Sequence, residues 1–428
     1  MTDEKASGAV DVWRPPPGFI AVPSAVPGVD VYAPAPEAPK VEQRTFKCPR
    51  CGATTTYSAS EAALTCAYCG YTETPDAVVV GRRAAEAEFR VETLERTDRG
   101  WGQARREIHC ESCGANLSLE PTDLATRCPF CGSNRIIARE ETQASMLRPG
   151  FLIPFEIDRD SGARLLRDWL ARGWMHPPEL RDLGSSAGLS GVYLPFWTFS
   201  ARVDTNWQAE VGHRRRRTTW DGKTKTEIKW KWKSGRFDLD IEDMLLPGTS
   251  KVSSLLLDRL YPFDLSDLTL YAPAYLAGWR AQAYDISLRP AWDEARGTMR
   301  ERAKEAAYEE INSNHVRNFG MTADLEKERW RYVLLPVYVA GYRFRGKAYQ
   351  VLISGQTGAV AGQKPVSWWR VGAALALLLV PAVVLILVAG VLPVNWRNVS
   401  MFVGWGALIV GLLLGALILQ RALAADDA

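Results

Sequence analysis

All eight cysteines of this 428-residue chain fall between Cys48 and Cys131, in two copies of one spacing. Cys48, Cys51, Cys66 and Cys69 read C-x2-C, fourteen residues, C-x2-C, and Cys110, Cys113, Cys128 and Cys131 repeat it. Four thiolates without histidine suit the closed tetrahedral shell of a structural zinc ion, which leaves no position open for catalysis. Glycine follows the second cysteine of every pair, at Gly52, Gly70, Gly114 and Gly132. There it supplies the positive φ that turns backbone N–H groups toward sulfur. Pro49 and Pro129 preset φ after their leading cysteines.

The spacing therefore predicts two zinc ribbons, over 44–75 and 108–140, with two structural zinc ions. Each is shorter than the roughly 40 residues below which a chain needs a metal or disulfide staple. Metal binding would contribute folding energy on the order of 10 kcal/mol. The same ligands accept rubredoxin-like iron, and a disulfide framework would fit an oxidising compartment. The ribbons read either as folding clips or as docking surfaces for nucleic acid or protein.

The remaining sequence must position these clusters. Residues 1–43 are rich in proline, with Pro15, Pro16 and Pro17 in a row, and show no periodic apolar face, which predicts a disordered arm. The start, MTDEKASGAV, has no apolar core and does not read as a signal peptide. Residues 76–107 read as a charged linker anchored by Phe89, Val91, Leu94 and Trp101.

From 147 to 362 a weak internal repeat reads strand, helix, then a strand containing Leu-Pro that enters a hairpin. The first copy has FLIPFEI, a helix near 161–172 stopped by Gly173, and Leu194 to Trp197. The second has AQAYDIS, a longer helix with Ser287 as N-cap and Pro290 in its first turn, and Leu335 to Tyr338. Lys347 to Ser354 then reads as a strand, Gly355 to Gly358 as its turn. The prolines suggest an edge, a strand start or a bulge. Such duplicated α+β units bury a sheet face under helices, with the aromatics as core.

A basic hairpin, placed within 205–236, interrupts the first copy and turns at Asp221-Gly222. Ten cations, including Arg214, Arg215, Arg216, Arg217, Lys229, Lys231 and Lys233, face only Asp221 and Glu227, a net of +8. Lys229, Lys231 and Lys233 alternate with Ile228, Trp230 and Trp232, so period two separates cations from indoles. Three readings fit: a solvated face over buried indoles, a patch for anionic lipid or an acidic partner, and a surface for single-stranded nucleic acid.

After Trp368, Trp369 and Arg370 come two apolar stretches, 371–394 and 401–420. The first has twenty-four residues, about 36 Å as a helix, against a bilayer core of roughly 30 Å. Joined by Asn395 to Ser400, they predict a transmembrane hairpin, with Pro381 inside its first span and Gly411 and Gly415 as a packing face. Lys364, Arg370 and Arg421 flank the hairpin and only Arg397 lies in its loop, which places both termini in the cytoplasm of a cell bounded by this inner membrane. Reduced cysteines require the same side.

The net charge of +3 gives no global field for nucleic acid. His109, His176, His213 and His315 lack metal or triad spacing, and Gly341 to Lys347 has Ala348 where a phosphate loop needs Ser or Thr. Asp238, Asp240 and Glu242 read as a solvent-facing row. No catalytic constellation stands out, so a non-enzymatic protein is expected.

The ribbon pair, GVYLPFW, VLLPVY, YPFDLSDL, YLAGWRAQAYDISL, the GQTG turn and the terminal hairpin together resemble a bacterial family of membrane-anchored tandem zinc-ribbon proteins. The resemblance covers most of the chain after residue 44. Its members often carry the label of transcription factor IIB-type zinc-ribbon proteins or of primosomal protein N′, a replication-restart helicase, although no Walker A motif is present here. They are also similar to membrane partners of phage-shock and SPFH-domain proteins. The resemblance implies a scaffold at the inner face of the membrane with a protein partner. Self-association, anionic lipid and nucleic acid remain open as further partners.

The expected fold is thus α+β and multidomain: two four-cysteine zinc ribbons, a duplicated strand-helix-hairpin domain and a two-helix transmembrane hairpin.

Overall fold

The computed structural model describes residues 19–22, 31–34, 46–75, 78–88, 106–119, 128–130, 133, 136–139, 147–180, 189–218, 224–345, 347–391 and 393–426. The chain divides into Met1–Gln43 and Arg44–Ala428. In the first unit, where a disordered arm is expected, β1 (Phe19–Val22) pairs antiparallel with β2 (Val31–Pro34).

The second unit opens with a three-stranded meander, β3 (Thr56–Ser58), β4 (Ala63–Thr65) and β5 (Thr72–Glu73). The expected linker enters the core: β6 (Ala87–Glu88) pairs with a long strand described below. Phe89, Val91, Leu94 and Trp101 lie outside the described residues. Next come β7 (Arg106–Cys110), β8 (Asn116–Leu119), β9 (Ile136–Arg139) and β10 (Phe151–Leu152).

Helix α1 (Arg159–Ala171) starts where the Asp158 carboxylate accepts the Ser161 N–H at 2.8 Å, two residues earlier than the sequence suggests. The long strand β11 (Leu189–Thr218) folds back as β12 (Thr224–Pro247), a hairpin longer than the expected 205–236, with the expected turn at Asp221-Gly222 outside the described residues. A short helix α2 (Ser254–Asp258), β13 (Thr269–Leu270) and β14 (Arg280–Gln282) lead to α3 (Leu288–Ile311). Ser287 holds the N-cap position of α3 without a side-chain cap bond, and Asn312 ends it in the left-handed region at φ 46°. The strand β15 (Val316–Phe344), then β16 (Lys347–Ser354) and β17 (Val360–Gly362), complete the sheet.

β11 and β15 lie side by side, antiparallel, with Leu194 opposite Leu335. Their apolar runs are nearly continuous there because both faces are covered. One face carries Tyr193, Trp197 and Phe199 under α1 and α3, together with Tyr57 and Leu64 of the first ribbon. The other carries Val192, Leu194 and Phe196 under the second ribbon and the segment 252–268. The helix-covered face was legible in the sequence; the ribbon-covered one was not.

Between the two copies expected from the sequence, the opening strands are exchanged. The opening strand of each copy pairs in parallel with the long strand of the other: β10 with β15, and β14 with β11. Pro195 and Pro336 occupy central strands, contrary to the edge reading. Each sits between two neighbouring strands, Pro195 between the β14 pairs at 192–193 and the β12 pairs beginning at Phe196, Pro336 between β10 at 333–334 and β16 beginning at Val337. Their carbonyls accept Gly248 N–H and Gly355 N–H on that side, so the missing N–H faces the gap and removes no ladder bond.

Beyond Ser200 the sheet narrows to a ribbon of β12, β11 and β15, and the pattern becomes alternating. Val203, Trp207, Ala209 and Val211 are buried on the α3 side, while Arg202, Asp204, Asn206 and Gln208 lie on the open side. Gly235 leaves room for Trp207, whose Nε1 donates to Glu310 of α3 at 2.7 Å. A Cβ at Gly235 would stand 2.6 Å from that nitrogen. The substitution Gly235→Val should therefore cost about 1–3 kcal/mol through overpacking, read as a lower denaturation midpoint of the detergent-solubilised chain.

The transmembrane hairpin is present as α4 (Trp368–Ala389) and α5 (Val394–Asp426). Residues 395–400, expected as a loop, are helical. Gly404, Gly411 and Gly415 face α4: a Cβ at Gly404 would lie 2.7 Å from Ile386, and one at Gly411 would lie 3.2 Å from the Leu378 carbonyl oxygen. The glycines thus allow close approach within the hairpin.

Candidate metal centres

The sulfurs of Cys48, Cys51, Cys66 and Cys69 all lie within 4.8 Å of one another. Cys48 and Cys69 are 3.5 Å apart, Cys51 and Cys66 3.6 Å. Tetrahedral Zn–S bonds of about 2.3 Å place sulfurs about 3.8 Å apart, whereas a disulfide holds them at about 2.0 Å. The geometry fits a four-thiolate metal shell. Cys110, Cys113 and Cys128 form a second cluster, with Cys113 and Cys128 3.6 Å apart. Cys131 lies outside the described residues, as does Gly132.

The local chain explains the convergence. In each knuckle the leading cysteine N–H donates to the carbonyl five residues on: Cys48 to Ala53, Cys66 to Tyr71, Cys110 to Ala115 and Cys128 to Ser133. Gly52, Gly70 and Gly114 take φ of 74°, 69° and 70°, as the spacing predicts. The Arg50 N–H points at the Cys48 sulfur at 3.4 Å.

Charge in the first cluster is unevenly shared. Backbone N–H groups of Cys69 and Tyr68 pull the Cys66 thiol down to about 7. At Cys51 the Ala53 N–H favours the thiolate, yet desolvation and the Cys69, Cys66 and Cys48 sulfurs push the group up to about 12. Crowded thiols cannot all ionise together, and a bound divalent cation removes that conflict. His109 stays outside the second set and bonds Asn116 Oδ1 at 2.7 Å.

Both clusters are built into the core. Trp279 Nε1 donates to the Tyr57 carbonyl at 2.9 Å, and the Tyr57 N–H donates to the Ala277 carbonyl, which fix the first ribbon. In the second, β8 pairs with β14, and Cys110, Leu117, Cys128 and Phe130 join the buried face of the sheet. The surfaces by which the ribbons were expected to dock are in part occupied by the rest of the chain.

The basic hairpin is placed differently from its simplest reading. Lys229, Lys231 and Lys233 are exposed on the α3 side, together with Arg215. Arg214 and Arg216 share the opposite face with Ile228, Trp230 and Trp232, and Arg217 lies opposite Lys225. The indoles are not packed away: Trp232 is 60% exposed, and the Arg317 guanidinium covers Trp230 at 4.1 Å. The third strand stops at Val316, which leaves the tip two-stranded with no core beneath it.

Sequence reasoning missed a buried ion network between the 76–107 segment and the sheet. Arg331, 2% exposed, contacts Asp243 and Glu86, donates to Thr198 Oγ1 at 3.1 Å and reaches the Ala84 carbonyl. Ser200 donates to Glu86 and receives the Asp243 N–H. Burial raises the Asp243 carboxyl above its usual range although Arg331 opposes this. Spacing carries no sign of it, since Glu86, Asp243 and Arg331 are far apart in the chain.

The anchor is fastened to the soluble part. Lys364 caps the end of α1, donating to the Arg172 carbonyl at 2.9 Å and contacting the Trp169 carbonyl, with its ammonium 4.0 Å from the Trp169 ring. Arg370 Nη1 donates to the Trp174 and His176 carbonyls at 3.3 Å, and the Ser367 N–H to Met175. Lys364, expected as a free flanking charge, is therefore a buried helix cap.

Fold and site define a mixed α+β membrane protein with cysteine clusters able to coordinate a metal. The chain is 26% identical over 341 residues to an uncharacterized protein, YdjG, of Bacillus subtilis (strain 168), a match covering 77% of this chain and 92% of that one. No family model matches the chain, and no solved structure does.

Proposed function

We propose that the protein is a non-enzymatic scaffold of the tandem zinc-ribbon kind, held at the inner face of the cell membrane with both termini in the cytoplasm. Two structural zinc ions clip its ribbons to the duplicated α+β platform, and the platform presents a charged ribbon to a protein partner. The observation that carries this reading is the closed, core-embedded first cluster, which suits folding rather than chemistry. The capped junction between α1 and α4 supports a platform coupled firmly to its anchor. Arg370 and Arg421 lie near the open end of the hairpin and Arg397 in the first turn of α5, near its closed end, which supports the orientation even without Lys364. A role in membrane-stress assemblies follows from the family resemblance alone.

Orientation is tested by labelling. An Arg397→Cys chain should react with a membrane-impermeant maleimide on intact spheroplasts, while wild type reacts only after lysis. Labelling in the opposite sense would reverse the topology and remove the reducing environment that the thiolates need.

A second reading, binding of single-stranded nucleic acid, is favoured by the exposed Trp232 ring on the same face of the hairpin as Arg214 and Arg216. It predicts that log K for any oligonucleotide falls steeply with log salt, because phosphate contacts release counterions. No binding at low salt would remove it.

A further inference from the structure

The strand β12 pairs only with β11 among the described residues, so its outer side is an open sheet edge. Along this edge the charge changes sign. Lys229, Lys231 and Lys233 precede Gly235; Asp238, Asp240 and Glu242 follow it.

The acidic half borders a groove of about 380 Å³. Its walls are Leu239, Asp240, Ile241 and Glu242 of β12, and Arg302, Glu305, Ala306 and Glu309 of α3. Consecutive strand residues alternate faces, so a groove touching all four runs along the strand edge rather than over one face. The helix residues recur at i, i+3, i+4 and i+7, one stripe of α3. Four carboxylates face one guanidinium there, and all five side chains are exposed.

Lysines on an edge strand oppose pairing with most other strands. A carboxylate-lined edge is the exception. We propose that this groove receives the Lys229–Lys233 segment of a second copy of the chain, the two β12 strands pairing antiparallel about a two-fold axis near Gly235. The occupant is chosen because an extended basic segment of fitting alternation lies on the same open edge, a few residues from the groove that complements it. Two-fold pairing then forms both contacts at once, as a self-complementary interface requires.

Side-chain direction supports the match. Lys229, Lys231 and Lys233 point to the same side of β12 as Leu239 and Ile241, the side that α3 covers. Opposed residues of an antiparallel pair project to one face. The lysines of one copy therefore meet Glu305 and Glu309 on the helix of the other, and the backbone N–H and C=O groups of both edges find partners.

The test is zero-length carbodiimide cross-linking of the full chain in native membranes, with peptide mapping. A covalent dimer is expected, joined between Lys229–Lys233 and Glu305 or Glu309. Glu305→Lys with Glu309→Lys should lower its yield about tenfold or more through like-charge repulsion. Lys229→Glu, Lys231→Glu and Lys233→Glu together should do the same. Co-expressing the two variants should restore a mixed dimer, which no loss of folding would produce. Failure of that rescue, a dimer indifferent to both reversals, or cross-links confined to a different protein would overturn the proposal.

Discussion

Stripping the metal should unfold both ribbons and loosen the sheet they complete. The expected result is that a strong chelator converts the detergent-solubilised chain to a form digested by protease between residues 44 and 140, and that Cys48→Ser with Cys66→Ser, which disables the first cluster alone, exposes residues 44–75. The reason is size: neither ribbon buries enough apolar surface to fold alone, and thiolate–metal bonding is worth on the order of 10 kcal/mol in comparable peptides. The damage should spread, because β8 pairs with β14 and Tyr57 and Leu64 belong to the main core. Tryptophan emission should shift to the red as Trp279 loses its Tyr57 partner. Intact proteolytic resistance after complete metal removal would show that packing alone holds the ribbons.

The second large effect belongs to Arg331. Its guanidinium is 2% exposed and is shared by Glu86 and Asp243, so Arg331→Ala removes the cation in contact with the mostly buried Asp243 carboxylate, while Glu86 keeps Arg329 at 2.8 Å. Breaking one side of a buried ion pair costs about 3–5 kcal/mol. Asp243→Asn should cost less, because Glu86 still faces the arginine and asparagine tolerates the left-handed backbone that Asp243 adopts at φ 55°. Urea midpoints of the two variants, measured side by side, check the order. An equal or reversed ranking would mean that the network contributes little.

These two effects mark where the sequence was and was not legible. The cysteine spacing, the glycine after each pair and the apolar length of the last two helices are local signals; the structure carries them through for the first four-cysteine cluster, for three cysteines of the second and for the two helices. The order of strand, helix and strand between 147 and 362 was legible as well. The exchange of opening strands was not, since β10 and β14 are short and which long strand they join depends on contacts distant in sequence. Pro195 and Pro336 read as marking an edge, a strand start or a bulge because each lacks an N–H; they lie instead in central strands, where one neighbouring strand ends and the next begins. Trp232 looked like core from its alternation, but alternation tells which face a residue takes and not whether anything covers that face. Lys364 read as a flanking cation, yet its stem and charge complete the end of α1.

The charged ribbon shows the same limit. Ten cations were visible in the sequence, but Glu305 and Glu309, on a helix beginning some fifty residues past the hairpin, join the groove only once α3 lies along β12.

The central claim is that thiolates hold a divalent metal within a membrane-anchored core. Elemental analysis of the full chain, purified from membranes under reducing conditions, tests it most directly. Two zinc ions per chain are predicted, released only together with loss of protease resistance. A metal-free chain with its full set of titratable thiols, still folded, would contradict it.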